Sequence, residues 1–499
     1  MWYDYYNIFG FYQRVIILNI PDRLTDYFVD YKRGKFSISE KNFPYSRILA
    51  YIAFFAFLLR LVISVSYLNS YDTEWNIMWG VQLGDGFFSA YSHVNALDYP
   101  PLYLYPLYIV GKCVRNAGIG GYAPLRMLAI KFFPCLADSL TGVVLYTLAS
   151  KKSKLLGLTA ASLWAINPAV IFNCACWGQT DCVMMFMAAM LMLALDQKHV
   201  TAAGVLWAAM CSTKLQGLYL TPVVGMEVLT ICFGNLNPKD FSISKIKKSA
   251  VVRFIRFVCA ASLTLSLVYL PFMIGSGFSD YQPELGFIEK FLKPVTVYSD
   301  GVAKYPYCTL NADNIYMLSG LNGVNDELKF LSVISYSGLS GILLVLSVCA
   351  VVALYLFGKK KSHWLAGFML MECIFMLTCR QHERYQIITL ILLAGAFIRL
   401  TDKRILTLFS LNSVVIFFNQ FRVLSAVREK SNWWGYYKYT DGTAEWIVKR
   451  GSFASFNSLL NTALFVASMV FVLRYFFDDR SDEPVLLRLN DHFNDSKDI

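Results

Sequence analysis

RILAYIAFFAFLLRLVISVSYL, residues Arg47 to Leu68, decides the fold. Its length matches the roughly 17–25 mostly apolar residues that a helix needs to cross the hydrocarbon core of a bilayer. Runs of this kind recur along most of the 499 residues, of which 56% are hydrophobic and only 16% charged. An all-α polytopic membrane protein is expected. Just beyond the run stands Tyr71-Asp72-Thr73-Glu74-Trp75, with two carboxylates beside a membrane boundary. Ionisable groups in that position are costly and mark function by default.

The formal charge of +11 does not point to nucleic acid, because the basic residues gather in short loops. Lys151-Lys152-Ser153-Lys154, Lys245 with Lys247 and Lys248, Lys359-Lys360-Lys361, and Lys403-Arg404 are the clusters that keep loops cytosolic. Most of the twelve cysteines lie in apolar runs, where they serve as small hydrophobes. Cys174-Ala175-Cys176 lacks a second ligand pair for a metal; Cys308 falls in an outer loop, and its pairing is open. Residues 1–40 show no compact signal-peptide core, and Tyr3 to Asn19 fits an interfacial amphipathic helix.

With the basic loops in the cytosol, parity gives about twelve spans and both termini inside. Residues 1–46 form an interfacial N-terminal segment and 47–477 the membrane domain. Large outer loops are expected at about 69–125, 275–328 and 421–455, and an acidic tail at 478–499 whose sequon Asn494-Asp495-Ser496 stays cytosolic. Leu102 to Val114 is expected as an interfacial helix in the first loop, since a full span there would put Lys151–Lys154 outside. The second span, about Arg126 to Leu148, then holds Lys131 and Asp138 in its outer half. Two short helices are expected to meet near the outer side at Lys214.

Every group with catalytic character falls on that outer face. Asp72 is the candidate base; Glu74 shares its direction only in an extended chain, because alternation there has period two. The alternative is a carboxylate that caps a nearby helix. Arg380, His382 and Arg384, with Glu383 among them, suit a phosphate, for which arginine offers a planar fork of donors; Lys214 suits the same anion. Trp177-Gly178-Gln179-Thr180-Asp181 combines an indole plane, an amide and a carboxylate, as a pyranose requires. An interfacial tryptophan followed by a helix-capping aspartate is equally compatible. No P-loop and no GxGxxG before a strand is present, so a sugar donor outside the cytosol would be a lipid phosphate.

These motifs, in this order, resemble the GT-C superfamily of polyprenyl-phosphate-sugar-dependent glycosyltransferases, in particular the dolichyl-phosphate-glucose glucosyltransferases and their bacterial mannosyltransferase-like relatives. The resemblance runs from about Arg47 onward through Asp72-Thr73-Glu74, Asp98-Tyr99-Pro100-Pro101-Leu102, Arg126 to Asp138, Trp177 to Asp181, Lys214-Leu215-Gln216 and His382-Glu383-Arg384. It implies a GT-C helix bundle and an inverting transfer of a hexose, glucose or mannose, from the lipid phosphate to a lipid-linked glycan or cell-surface acceptor. Asp72 would be the base, with Glu74, Asp98 and Asp138 as supporting acids. His382, Arg384, Arg380 and Lys214 would hold the donor phosphate, and Trp177, Gln179, Asp181, Gln216 and Tyr99 the sugar or acceptor. No metal is obligatory, although Asp72 with Asp181 or Glu74 could bind a divalent ion.

The eukaryotic glucosyltransferases have lysine where Arg384 stands, so a bacterial plasma membrane is favoured over the endoplasmic reticulum. The basic residues of 421–450, Arg422 and Arg428 among them, are expected to help hold an anionic acceptor or to attract anionic lipid headgroups. The rival from another class is a transporter or flippase of lipid-linked sugars. Such carriers show two related halves and polar groups at the midplane, and neither is visible here.

Overall fold

In the computed structural model the described residues are 30–32, 35–37 and 43–477, apart from 67–70, 95, 120–122, 240, 243–245, 431–446 and 449. Met1–Tyr51 and Ile52–Ile499 form two units. In the first, Asp30–Lys32 pairs antiparallel with Lys35–Ser37, Asp30 opposite Ser37. Tyr3 to Asn19 and the tail 478–499 lie outside the described residues.

The second unit is helical. Among the described residues, seven helices are long and apolar enough to cross a membrane: Tyr45–Ser66, Pro124–Ala149, Leu215–Phe233, Lys248–Gly277, Tyr336–Phe357, Lys403–Ala426 and Ser452–Phe477. An eighth crossing arises if Lys154–Ala165 and Pro168–Trp177, bent by 48° at their junction, count as one. The dozen expected is therefore not confirmed, since several of the apolar runs form short helices. Val200–Cys211 has 12 residues and His363–Leu377 has 15; at about 1.5 Å per residue they reach roughly 18–23 Å, against about 30 Å of hydrocarbon.

The breaks are written locally. Asn167 caps a new turn by accepting from the Ala169 and Val170 amides, with Pro168 at its first position, where a missing N–H costs nothing. The turn that follows ends at Gly178 in the left-handed region, φ 76°. The junction foreseen at Lys214 is present: Val200–Cys211 ends, Lys214 is extended, and Leu215–Leu220 resumes as a tight helix.

Burial sorts the helices by role. His363–Leu377 is buried at every residue from His363 to Met376, a pattern that belongs to the centre of a bundle. Tyr45–Ser66 by contrast exposes Phe54, Phe55, Leu58 and Val62, an apolar face suited to lipid. A helix covers the stretch expected to be interfacial, at Pro101–Asn116, started by Pro100 and Pro101. It crosses Tyr71–Gln82 at backbone distance, since a Cβ on Gly111 would lie 1.8 Å from the Gly80 carbonyl oxygen. That crossing fixes the helix on which Asp72 rides.

Candidate active site

Tyr71–Gln82 is helical from its first residue, with Asp72 and Glu74 in the first turn, where carboxylates meet the positive end of the helix dipole. Residues two apart on a helix point in different directions, and these two part company. Asp72 lines a cavity of about 750 Å³, whereas Glu74 ion-pairs with Arg126 of the Ala123–Ala149 helix. Glu74 is therefore tied to the scaffold and does not join Asp72.

Asp72 Oδ2 accepts from Gln179 Nε2 at 2.5 Å and from Trp177 Nε1 at 3.1 Å. The sugar-type motif of the sequence thus holds the candidate base. The turn carrying both donors is anchored from below by Lys131, whose Nζ donates to the Cys176 carbonyl at 2.9 Å and the Ser64 carbonyl at 3.3 Å. A lysine on the last carbonyls of a helical turn meets its negative end. Gly178 makes the fit possible: a Cβ there would stand 2.8 Å from Thr73 Cγ2 and 3.0 Å from Lys131 Cγ.

Across the cavity, the loop between His363–Leu377 and Ile388–Leu400 supplies His382, Glu383 and Arg384. Arg384 Nη1 donates to Glu383 Oε1 at 2.6 Å and lies 4.0 Å from Asp72 Oδ2; its Nε lies 4.0 Å from Asp181 Oδ2. The guanidinium is also above the Trp177 ring at 5.8 Å and the Tyr385 ring at 5.5 Å, both within cation–π reach. Burial disfavours its charge, but Asp72, Glu383 and Asp181 outweigh that and hold it protonated. Glu383 is shifted up by burial, with Arg384 opposing.

Lys214 Nζ is 2.9 Å from Asp181 Oδ1 and 5.6 Å from the centre of the Tyr385 ring. Burial lowers its affinity for the proton, which Asp181 partly restores. His382 is held neutral well below the usual histidine range, first by burial and then by Arg384, Lys214 and Lys304. It therefore offers a hydrogen bond, not a charge, to any anion near Arg384.

Besides the Lys214–Asp181 ion pair, the buried polar atoms at this site that find no hydrogen-bond partner among the described residues include Arg384 Nε, Gln216 Oε1 and Asn76 Oδ1. All three residues line the cavity. Buried polar groups are nearly always paired, and an unmade bond costs about 1–3 kcal/mol. One donor and two amide acceptors thus sit unpaired in side chains of the cavity wall.

The other expected residues divide. Tyr99 accepts from the Thr180 hydroxyl at 3.1 Å and lines the cavity with Asp98. Asp98 Oδ2 accepts from Lys304 Nζ at 2.6 Å, tying the segment before Pro101–Asn116 to the one after Phe287–Ala303. Arg380 reaches the cavity wall, but its Nε and Nη2 bind Asp326 at 2.6 and 3.3 Å, which commits its fork to the scaffold. Asp138 is absent from the cavity: it is buried in the bundle and accepts from Arg60 Nε at 2.5 Å and Trp164 Nε1 at 2.9 Å. Arg422 donates through Nη2 to Asp313 at 2.8 Å and to the Asn311 carbonyl at 3.1 Å, bracing the second loop, while its Nε and Nη1 find no hydrogen-bond partner among the described residues. The side chains of Arg428 and Lys430, and residues such as Lys438 and Lys449, lie outside the described part. Among the described residues no three His, Cys, Asp or Glu side chains are grouped to hold a metal ion.

Lys304 and Asn76 were not foreseen at the site. Lys304 and Asp98 are separated by 206 positions, and a lone lysine near an outer tyrosine carries no signal of its partner.

The chain is similar in structure to an archaeal oligosaccharyltransferase. AglB from Archaeoglobus fulgidus, in complex with an inhibitory peptide and a dolichol-phosphate, aligns with a TM-score of 0.40 and 11% identity, over 88% of this chain and 56% of that one. The Archaeoglobus fulgidus oligosaccharyltransferase tethered to an acceptor peptide aligns with a TM-score of 0.36 and 14% identity, over 87% and 55%. The chain thus spans about half the length of the structures it matches. No family model and no curated protein matches it.

Proposed function

We infer that the protein is an inverting glycosyltransferase of the GT-C type. It moves a hexose from a polyprenyl-phosphate sugar to a lipid-linked glycan or cell-surface acceptor, with its site on the extracytoplasmic face of a membrane. The observation that carries this reading is the pairing, in one cavity, of the Asp72 carboxylate with the Arg384 guanidinium 4.0 Å away. A base and an anion holder side by side are what direct displacement at an anomeric carbon requires.

Asp72 would take the proton of the acceptor hydroxyl as its oxygen bonds to the anomeric carbon and the bond from that carbon to the phosphate oxygen breaks. Gln179 and Trp177 hold Oδ2, so Oδ1 is the oxygen left to accept the proton. The departing lipid phosphate carries its own charge, and Arg384, Lys214 and the neutral His382 would stabilise it. Gln216 and Asn76 supply acceptors for sugar hydroxyls, and Trp177 an aromatic face.

The test is transfer from a panel of radiolabelled polyprenyl-phosphate sugars into membrane lipid extracts, wild type against Asp72→Asn. The expected loss is about 10²–10⁴-fold in turnover, the range of a positioned base, with donor binding retained. Equal transfer by Asp72→Asn removes Asp72 from the mechanism.

A further inference from the structure

Two of the buried cysteines meet at the edge of the cavity, against the start of the Tyr336–Phe357 helix: Cys379 Sγ donates to the Tyr336 carbonyl at 3.4 Å and its amide to Ser340 Oγ at 2.9 Å. Cys308 belongs to the second outer loop, and Cys379 follows the His363–Leu377 helix and precedes Arg380. The segments carrying them run side by side: the Arg380 amide donates to the Tyr307 carbonyl at 3.0 Å, and the Leu310 amide to the Gln381 carbonyl at 2.9 Å. Leu310 and His382 form a parallel bridge in that ladder. In that register Cys308 lies opposite Arg380 and diagonal to Cys379. Diagonal neighbours on strands about 4.8 Å apart are separated by roughly 6 Å, inside the roughly 4.4–6.8 Å Cα range of a disulfide. Arg380 at φ 63° breaks the alternation that would turn the two side chains to opposite faces. Cys308 and Cys379 are 0% and 6% exposed and pack with Tyr316 in one small buried cluster.

We propose that Cys308 and Cys379 are joined by a disulfide in the mature protein, and that this bond holds the second outer loop against the turn bearing His382 and Arg384. This rests on the extracytoplasmic placement of the site, since disulfides persist in oxidising compartments. Both thiols lose a proton and together two electrons as the sulfur–sulfur bond forms. The electrons pass to the disulfide of a thiol–disulfide exchange enzyme of that compartment, which is reduced to its dithiol. Burial of both sulfurs places the exchange during folding, before the loop packs down. In the structure both are free thiols, Cys308 Sγ donating to the Asn325 carbonyl at 3.8 Å and Cys379 Sγ to the Tyr336 carbonyl at 3.4 Å, so the bond joins two thiols that pack in one cluster.

The remaining cysteines give an internal control. Cys135, Cys174 and Cys182 are also buried close together, but inside the helical bundle, with no outer loop to bring them to an exchange enzyme.

The experiment uses the full chain in its own membrane, alkylated before extraction and digested without reduction. A peptide pair linked through Cys308 and Cys379 is expected, lost on reduction and absent from Cys308→Ser and Cys379→Ser. In parallel, Lys329→Cys, in the exposed hairpin of the same loop, is treated with a membrane-impermeant thiol reagent and should be labelled from outside. Labelling from outside with Cys308 and Cys379 both alkylated singly overturns the disulfide and leaves the proposed function standing. Labelling only from the cytosolic side overturns the disulfide together with the placement of the active site. Reduction should lower the melting temperature of the wild type and leave Cys308→Ser/Cys379→Ser unmoved.

Discussion

Gly178→Ala should disable the site without touching a group that does chemistry. Gly178 has φ 76°, and its missing Cβ would lie 2.8 Å from Thr73 Cγ2 and 3.0 Å from Lys131 Cγ. Carbon atoms rest at about 3.5–4.0 Å, so the turn and the helix must part by about 1 Å. Left-handed backbone adds about 1–2 kcal/mol for any residue with a Cβ, and overpacking about 1–3 kcal/mol. The neighbour that yields is Thr73, which adjoins Asp72. A displacement of about 1 Å there breaks the 2.5 Å and 3.1 Å bonds from Gln179 and Trp177, and misplacement on that scale costs roughly 10²-fold in rate. The assay is single-turnover transfer with saturating donor, paired with a melting curve. Thr73→Ser, which deletes Cγ2 and keeps the hydroxyl, should restore part of the lost rate in the double variant. A Gly178→Ala protein that melts lower yet turns over at the wild-type rate would show that Asp72 does not depend on this turn.

Glu74→Gln should keep wild-type turnover, because the carboxylate serves Arg126; with Glu74 40% exposed the stability change should stay within about 1 kcal/mol in a denaturation series. Asp138→Asn should leave Arg60 buried and unmatched and lower stability by about 3–5 kcal/mol, with kcat of the surviving folded fraction unchanged. A pure loss of kcat would instead return Asp138 to the site. His382 stays neutral in the fold, whereas the unfolded chain takes up its proton near pH 6.5. Stability therefore falls as pH drops below about 6.5, and continues to fall until the folded imidazole titrates. His382→Gln should flatten that acid slope in melting temperature against pH. Glu383, shifted up by burial, works in the opposite sense above its unfolded value of about 4.3, so the slope is read as the difference between the two proteins.

Helical class and motif order were legible because both are local. Arg47 to Leu68 announces a span in any context, and the Tyr45–Ser66 helix follows it closely. The interruption at Lys214 was legible because Ser212-Thr213-Lys214 is polar inside an apolar stretch. Span number was not: hydropathy sees that His363 to Leu377 is apolar, but a helix buried on all sides reads like one facing lipid. The direction of Glu74 turned on whether Asp72-Thr73-Glu74 was helical or extended, a choice made by the packing of Gly80 against Gly111 well outside the motif. Asp138 misled for a related reason. An acid in an apolar run signals expense without naming what meets it, and here Arg60, 78 residues away, removes the need for a catalytic explanation.

The charges around the cavity say how a phosphate would enter. Each cation already faces a carboxylate: Lys304 meets Asp98, Arg380 meets Asp326, Lys214 meets Asp181, and Arg384 meets Glu383. Excess positive charge is therefore not what would attract an anion; exchange of partners is. Arg380 cannot exchange cheaply, since Asp326 is wholly buried and takes two of its nitrogens. Arg384 can, because only Nη1 is engaged at hydrogen-bond distance while Asp72 and Asp181 stand off at 4.0 Å and Nε has no partner among the described residues. A phosphate oxygen at Nε satisfies a donor that is otherwise buried at a cost, and draws the guanidinium toward itself. The carboxylate of Asp72, held from the other side by Gln179 and Trp177, stays in place as its nearest cation turns to the leaving group. Donor binding and exposure of the base are then one motion of a single side chain, and Arg384→Lys, which keeps the charge but loses the planar fork, should uncouple them.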